Sequence, residues 1–374
     1  MPLGDTVTTP TLSMLQALST ASHGDDGYSD DQTTISLQDF MTNLTGKEAG
    51  LFVTSGTMGN QVSLRALQAL SPYSILCDHR SHIVNAEAGG VAVLCGAMVS
   101  GVVPTNGIYL TVEDIKRHVV MSRDVRSCPT KIISLENTLG GTIMPLKEVR
   151  RIRDFAKKYG IKMHLDGARL WEAVAAGAGS LVEYAECFDS LTLCFTKGLG
   201  APFGSIIVGS NELIQQSRSV RQMIGGGMRQ SGIMAAAAQI AVREQFGKGP
   251  NGEGGRLQAT HAKTLEVARY WVGQGGKLAN PADTNMVWLD LPEAKISKAD
   301  FVRLATENGV RLNGGRIVLH YRKIQAVSAN YSCADLCLEI AEEAIIRVKS
   351  LFNAVFSSER SSSKADPDDF TDTY

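Results

Sequence analysis

The sequence predicts an α/β fold: a mostly parallel sheet wrapped by helices, followed by a smaller α+β unit. Three observations carry that reading. From about residue 51, short β-rich runs alternate with helical patterns, as a parallel sheet requires. Between 131 and 166 the chain spells one complete strand, helix, strand unit. Asp166 and Lys197 stand at the carboxyl ends of successive predicted strands, which is where open α/β sheets bind their ligands.

Each element has a local reason. "FVTSGTMGN" (52–60) turns from an apolar strand into the helical "NQVSLRALQAL", with Ser55, Gly56 and Thr57 at the junction. "KIISLE" (131–136) reads as a buried strand. "LKEVRRIRDFAKKYG" follows, with Val149, Ile152, Phe155 and Tyr159 at helical spacing and Gly160 to end the helix before the strand "IKMHLD". "SLTLCFTK" and "GSIIVG" are two more strands, antiparallel to each other because only a short Gly/Pro-containing turn joins them. The glycine-rich break "GKGPNGEGGR" (247–256) precedes a long helical pattern, so the expected organisation is a large domain over 1–250 with an N-terminal arm, and a small domain over 251–354. The polar stretch 357–374 holds only Phe370 and Tyr374 as aromatics and is expected to be disordered.

The 374 residues, 44% of them hydrophobic, are enough to bury a large core. Lys and Arg number 37 against 38 Asp and Glu, a net charge of -1 that gives no electrostatic reason for nucleic acid or an anionic membrane as partner. A small-molecule substrate is expected instead. Seven cysteines form no CxxC pair, and most lie in apolar runs, as in a reduced compartment; with no leader-like start and no apolar run of about 18 residues, a cytoplasmic location is expected.

A lysine at the mouth of a buried sheet is solvated, ion-paired, or kept as a nucleophilic amine. Asp166 in "HLDGARLW" either caps a helix or holds a proton on a heteroaromatic nitrogen. Ser55, Gly56 and Thr57 are a common cap and also a phosphate cradle, since backbone N–H groups at a helix N-terminus bind anions. His82 in "RSHIVNAEAGG" is a structural histidine or a ring that stacks on a flat partner. Amine, acid, cradle and flat partner together are the parts that pyridoxal phosphate needs. No metal site is expected.

The order of motifs adds to this. "GDTVTTPT", "GKEAGLFVTSGTMGNQ", "SHI", "ISLENT", "HLDGARLWEA", "CFTKGLGAPFGSIIVG" and "GGGMRQSG" together resemble the threonine aldolase family, over about residues 4–350. The resemblance implies a fold type I pyridoxal-phosphate enzyme, a homodimer or homotetramer whose sites borrow residues from a neighbour. It makes Lys197 the Schiff-base lysine, sets Asp166 on the pyridine nitrogen, Gly56 and Thr57 on the phosphate, and His82 on the ring. It also puts Arg169 and Arg316 on the substrate carboxylate, Arg229 on a neighbour's phosphate, and Tyr28 in the active site.

Departures from the family pattern bear on the reaction. Gly4 stands where the family has a carboxylate-binding serine, and Gln222 where it has a lysine. Its Tyr-Gly-Glu-Asp is here Tyr28-Ser29-Asp30-Asp31. Arg126 stands where the family carries a histidine that contacts the substrate's β-hydroxyl, and becomes a candidate substrate contact itself. A retro-aldol step must remove that hydroxyl proton, whereas racemisation needs only Cα–H cleavage and reprotonation. The family includes fungal members that racemise alanine, supplying D-alanine for peptide natural products. Alanine racemisation is therefore expected ahead of threonine aldol cleavage, with Lys197 on one face and His82 or Tyr28 as the second acid.

Overall fold

The computed structural model describes residues 5–6, 8–67, 71–122, 124–249, 252–321 and 339–357. Seven strands form the main sheet: β1 (Ala49–Val53), β2 (Tyr73–Asp78), β3 (Ala97–Val102), β4 (Thr130–Glu136), β5 (Lys162–Asp166), β6 (Ser190–Cys194) and β7 (Ser205–Gly209). Their order across the sheet is β1-β7-β6-β5-β4-β2-β3. The pairs β2/β3, β2/β4, β4/β5 and β5/β6 are parallel, while β7 runs antiparallel to both β6 and β1. The antiparallel β6/β7 pair is the one expected from the short turn between them.

The inner parallel strands are largely buried, as expected where helices cover both faces of such a sheet, apart from Lys131 and Lys162; the edge strand β3 is buried only at its two ends. The crossover from β4 to β5 runs through the helix Leu146–Tyr159, which buries Leu146, Val149, Ile152 and Ala156 and closes on Gly160 at φ 65°, a left-handed conformation that glycine adopts without strain. Its apolar stripe is shorter than the spacing suggests. Tyr159 is 46% exposed and rests on half-buried Phe155, with ring centroids 4.8 Å apart.

Register decides what the carboxyl edge presents. Glu136 pairs with Asp166 across β4/β5, so two strand-final carboxylates lie side by side, and Asp166 pairs with Thr192 across β5/β6. Strand β6 ends at Cys194, three residues short of Lys197, which sits in the turn beyond. That turn is tied down by Gly200 N–H donating to Lys197 O (2.8 Å) and by Trp171 Nε1 donating to Cys194 O (2.9 Å).

A second buried cluster draws its residues from Val267 to Val355 and centres on Trp271, which meets Phe352 edge-on at 4.9 Å between centroids. The long helix Gly255–Gly273 and the helix Glu339–Ser357 supply much of it, with a two-stranded ribbon, Met286–Trp288 against Arg316–Val318. The expected disordered tail lies outside the described residues except Ser357, which ends a helix. Among the described residues no helix is long and apolar enough to cross a membrane.

The helix Gly56–Ala66 is the element that carries the site. Ser55 caps it by accepting a hydrogen bond from Met58 N–H. It lies hard against β6: a Cβ at Gly59 would stand 2.5 Å from Thr192 Cγ2. Gly59→Ala should therefore cost about 1–3 kcal/mol, the usual range for overpacking. Urea unfolding of the two proteins checks this; an unchanged midpoint would show that the helix can lift without loss.

Candidate active site

Asp166 is buried at the end of β5 with both oxygens engaged. Its Oδ1 accepts from Ala168 N–H (3.0 Å) and its Oδ2 from the Asn60 side-chain amide (2.7 Å). The same Asn60 Nδ2 also donates to Glu87 Oε1 (2.9 Å), so two carboxylates dictate which way the amide points. Asn60 Oδ1 must then accept, and His164 Nε2 lies 3.1 Å from it. Burial pushes His164 down to about 4, so the ring is neutral; with its proton on Nε2, its Nδ1 accepts from Ser190 Oγ at 2.8 Å. Ser190, His164, Asn60 and Asp166 form one fully paired chain beneath the sheet's carboxyl edge.

Glu87 reaches the other way as well. Its Oε1 lies 2.8 Å from His82 Nδ1, and the backbone N–H of His82 donates to Glu136 Oε2 at 2.9 Å. The hydrogen bond to the Glu87 carboxylate raises the His82 pKa, against the opposing effect of burial. His82, Glu87 and Asp166 bring ligand-type atoms within 4.8 Å of one another, as a metal site would. Here an amide N–H of Asn60 points at two of the three, which is a hydrogen-bonding solution to the same crowding of charge.

Lys197 is half-buried above these carboxylates. Its ammonium acts electrostatically on Asp5, Glu136, His82 and Cys194, yet among the described residues it takes no side-chain hydrogen bond or ion pair. Nearby, Gly56 and Thr57 open the 11-residue helix and are partly exposed, leaving first-turn N–H groups turned outward. A Cβ at Gly56 would stand 2.6 Å from Cys194 Sγ, so only glycine lets this turn close on β6.

Arg169 is buried and closes bidentately on Asp5, with Nε and Nη2 each 2.7 Å from a carboxylate oxygen. Burial works to raise the Asp5 pKa, but the Arg169 guanidinium overcomes it by charge and hydrogen bond and holds it below the ordinary carboxylate range. Asn285 Nδ2 adds a long contact to Asp5 at 3.4 Å. Arg316 stands over the Trp288 ring, 5.5 Å from its centroid.

Thus Lys197, Asp166, His82, Gly56, Thr57 and Arg169 gather at the carboxyl edge. Three candidates do not join them. Tyr28 is 80% exposed, and Arg229, also exposed, pairs with Asp25 of the same short segment. Arg126 lies on a surface loop, bidentate to Asp124 at 2.9 Å on both contacts. The residues that the sequence reading missed are Asn60, Glu87, Glu136, Asp5 and His164. Glu136 carried the same signal as Asp166, an acid closing an apolar strand.

Residues 3–294 match the family described as beta-eliminating lyase. An aldolase of Penicillium aethiopicum, vrtJ, is 51% identical over 85% of this chain and 80% of its own. The alanine racemase TOXG of Cochliobolus carbonum is 46% identical over 87% and 84%, and the low specificity L-threonine aldolase of Saccharomyces cerevisiae 43% over 85% and 81%. The chain belongs to the threonine aldolase family. As a threonine aldolase homologue it is a pyridoxal-phosphate enzyme of fold type I. The fold agrees: a threonine aldolase structure from Leishmania major superposes with a TM-score of 0.74 at 18% identity, over 94% of this chain and 98% of that one.

The buried Asp5–Arg169 pair of this family member gives a test of stability. Breaking a buried pair costs about 3–5 kcal/mol, so Asp5→Asn should lose that much at neutral pH. Because the folded pKa of Asp5 is depressed, its contribution exists above its unfolded pKa near 4 and fades as pH falls below that. Denaturation curves at several pH values should show the gap between the two proteins closing in acid; a constant gap would mean that the charge of Asp5 is not what matters.

Proposed function

We propose that this chain racemises alanine, with Lys197 as the amine that carries pyridoxal phosphate and Asp166 as the acid on its ring nitrogen. Gly56 and Thr57 offer the phosphate their N–H groups, and His82 lies on the ring. The residues fit the group: a lysine that takes no side-chain hydrogen bond or ion pair among the described residues, a buried acid held ready by Asn60, and a helix start that glycine at 56 lets pack closely against β6. When bound, the cofactor supplies an electron sink for charge developing at Cα of an amino acid.

The chain's own residues then handle protons. Lys197 removes or returns one at Cα from its face. His82 serves the opposite face, and the observation that carries the racemase reading is its 2.8 Å contact with Glu87. A histidine whose pKa is raised by such a partner keeps its proton more firmly than an ordinary imidazole and can deliver it to carbon, and Glu87 offsets the charge as the ring cycles. Arg126, where a hydroxyl-binding histidine is expected of an aldolase, is turned to solvent and occupied by Asp124. Arg169 and Arg316 supply positive charge for the substrate carboxylate, and Tyr28 and Arg229 act across a subunit boundary in a homodimer or homotetramer. A threonine aldolase reaction is the second reading, favoured by the name of the 51% identical relative.

In heavy water the enzyme should exchange the α-proton of L-alanine and accumulate D-alanine, releasing little acetaldehyde from L-threonine. Rapid acetaldehyde with inert alanine would establish the second reading. His82→Phe keeps a flat ring without a titrating nitrogen, so it should retain cofactor absorbance while racemisation falls about 10²–10⁴-fold, the usual worth of a general acid. Chiral chromatography of both proteins measures this, and undiminished turnover would remove His82 from the mechanism.

A further inference from the structure

We propose that Glu136 is the proton acceptor for Lys197, taking the ammonium proton so that the lysine can react as a free amine. The proposal rests on Lys197 being the cofactor lysine, and it holds for a racemase and an aldolase alike. In the step, a Lys197 Nζ–H bond breaks, its electron pair stays on nitrogen, and the proton forms an O–H bond on the Glu136 carboxylate. A cation and an anion become an amine and a neutral acid, with no other reactant.

Three observations place Glu136 for this. Register sets it beside Asp166 at the end of β4, and β5 alone separates β4 from β6, whose turn carries Lys197. With strands about 4.8 Å apart, the two strand ends are about 10 Å apart, a span that one lysine and one glutamate side chain cover between them. Secondly, Glu136 is buried and its one described side-chain partner is the His82 N–H on Oε2; among the described residues Oε1 takes no hydrogen bond. Thirdly, Glu136 lines a cavity of about 20 Å³ together with Asp78 and Thr142, room for one water through which a proton can leave.

The charges around it favour the neutral acid. Burial raises the Glu136 pKa, and the carboxylate of Asp166 on β5 raises it further; the His82 N–H, Lys197 and the His82 ring oppose this. Arg169 beyond β5 and Cys77 on β2 also feel its charge. An acid lifted toward the amine range is matched to exchange a proton with an amine. Asp166, the better-known kind of acid at this edge, is already committed to Asn60 and Ala168.

Glu136→Gln removes the acceptor and keeps an oxygen for His82 N–H, so the local fold survives. Apoprotein of each variant is mixed with pyridoxal phosphate across about pH 6–10. Covalent capture is followed by visible absorbance, then by borohydride trapping and peptide mapping. Capture by Glu136→Gln should be at least about tenfold slower at neutral pH, part of the range for general-base assistance, with the deficit closing toward the ordinary lysine pKa near 10.4. Glu136→Asp, which keeps an acceptor, should recover part of the rate. If Glu136 were only a counter-ion, its removal would ease deprotonation of Lys197 and speed capture. Capture by the Gln variant that equals or exceeds wild type therefore overturns the proposal, as does an Asp variant no faster than Gln. A Lys197→Ala protein trapped at another residue would instead overturn the assignment of Lys197.

Discussion

One side-chain amide holds two buried carboxylates together, and the site is arranged around it. Asn60 donates to Asp166 and to Glu87, both almost wholly excluded from water. Two such anions repel, and each loses its hydration on burial, so without a shared donor they would drift apart or take up protons. Bridging them fixes Asp166 at the end of its strand and aims Glu87 at His82. Asn60 can do this only because the helix that bears it lies against β6 at Gly59. His164 and Ser190 then satisfy the far side of the amide, which leaves no slack in the chain.

The same economy governs the rest of the carboxyl edge. Asp5 is neutralised by Arg169 in a bidentate contact, and Glu172, raised by burial, meets His261 at 2.6 Å. Glu172 also packs against Gly198, the residue after Lys197, while His320 Nε2 lies 3.2 Å from Gly198 O on another side. The lysine's turn is therefore clamped on two sides, by Glu172 and by His320. Among the described residues, Lys197 and Glu136 differ from these paired neighbours in forming no salt bridge. The proposed proton transfer would leave an amine and a neutral acid there, and the free amine is the form in which a lysine is nucleophilic.

Much of the fold was legible because its signals are local. The alternation of buried strands with amphipathic helices, the glycine at 160 and the turn before "GSIIVG" all act within a few residues. So did Asp166 and Gly56, each at the end of an element, while Lys197 lies three residues past the end of its strand. Asn60, Glu87 and Asp5 were not legible, since nothing near them in sequence says that they meet residues 106, 27 and 164 positions away. Asn60 reads as an ordinary polar residue on a helix until the helix is laid on the sheet. Tyr159 failed in the opposite sense: spacing put it on the apolar stripe, but at the last turn of its helix it is half exposed and rests on Phe155.

The surface candidates follow from the same logic of charge. Arg229 and Arg126 each close on an aspartate a short distance away, Asp25 and Asp124, in contacts open to water. Exposed pairs of this kind contribute little to stability, about 0–1 kcal/mol, and are easily exchanged for a better anion. For Arg229 and its neighbour Tyr28, a phosphate presented by another subunit would be such an anion, with more acceptor oxygens than Asp25 offers. Arg126 differs, because Asp124 lies only two residues away and both fork contacts form within the loop itself. A guanidinium satisfied by its own loop has the least to gain from leaving it, so Arg126 is the candidate whose side chain is least committed to the site.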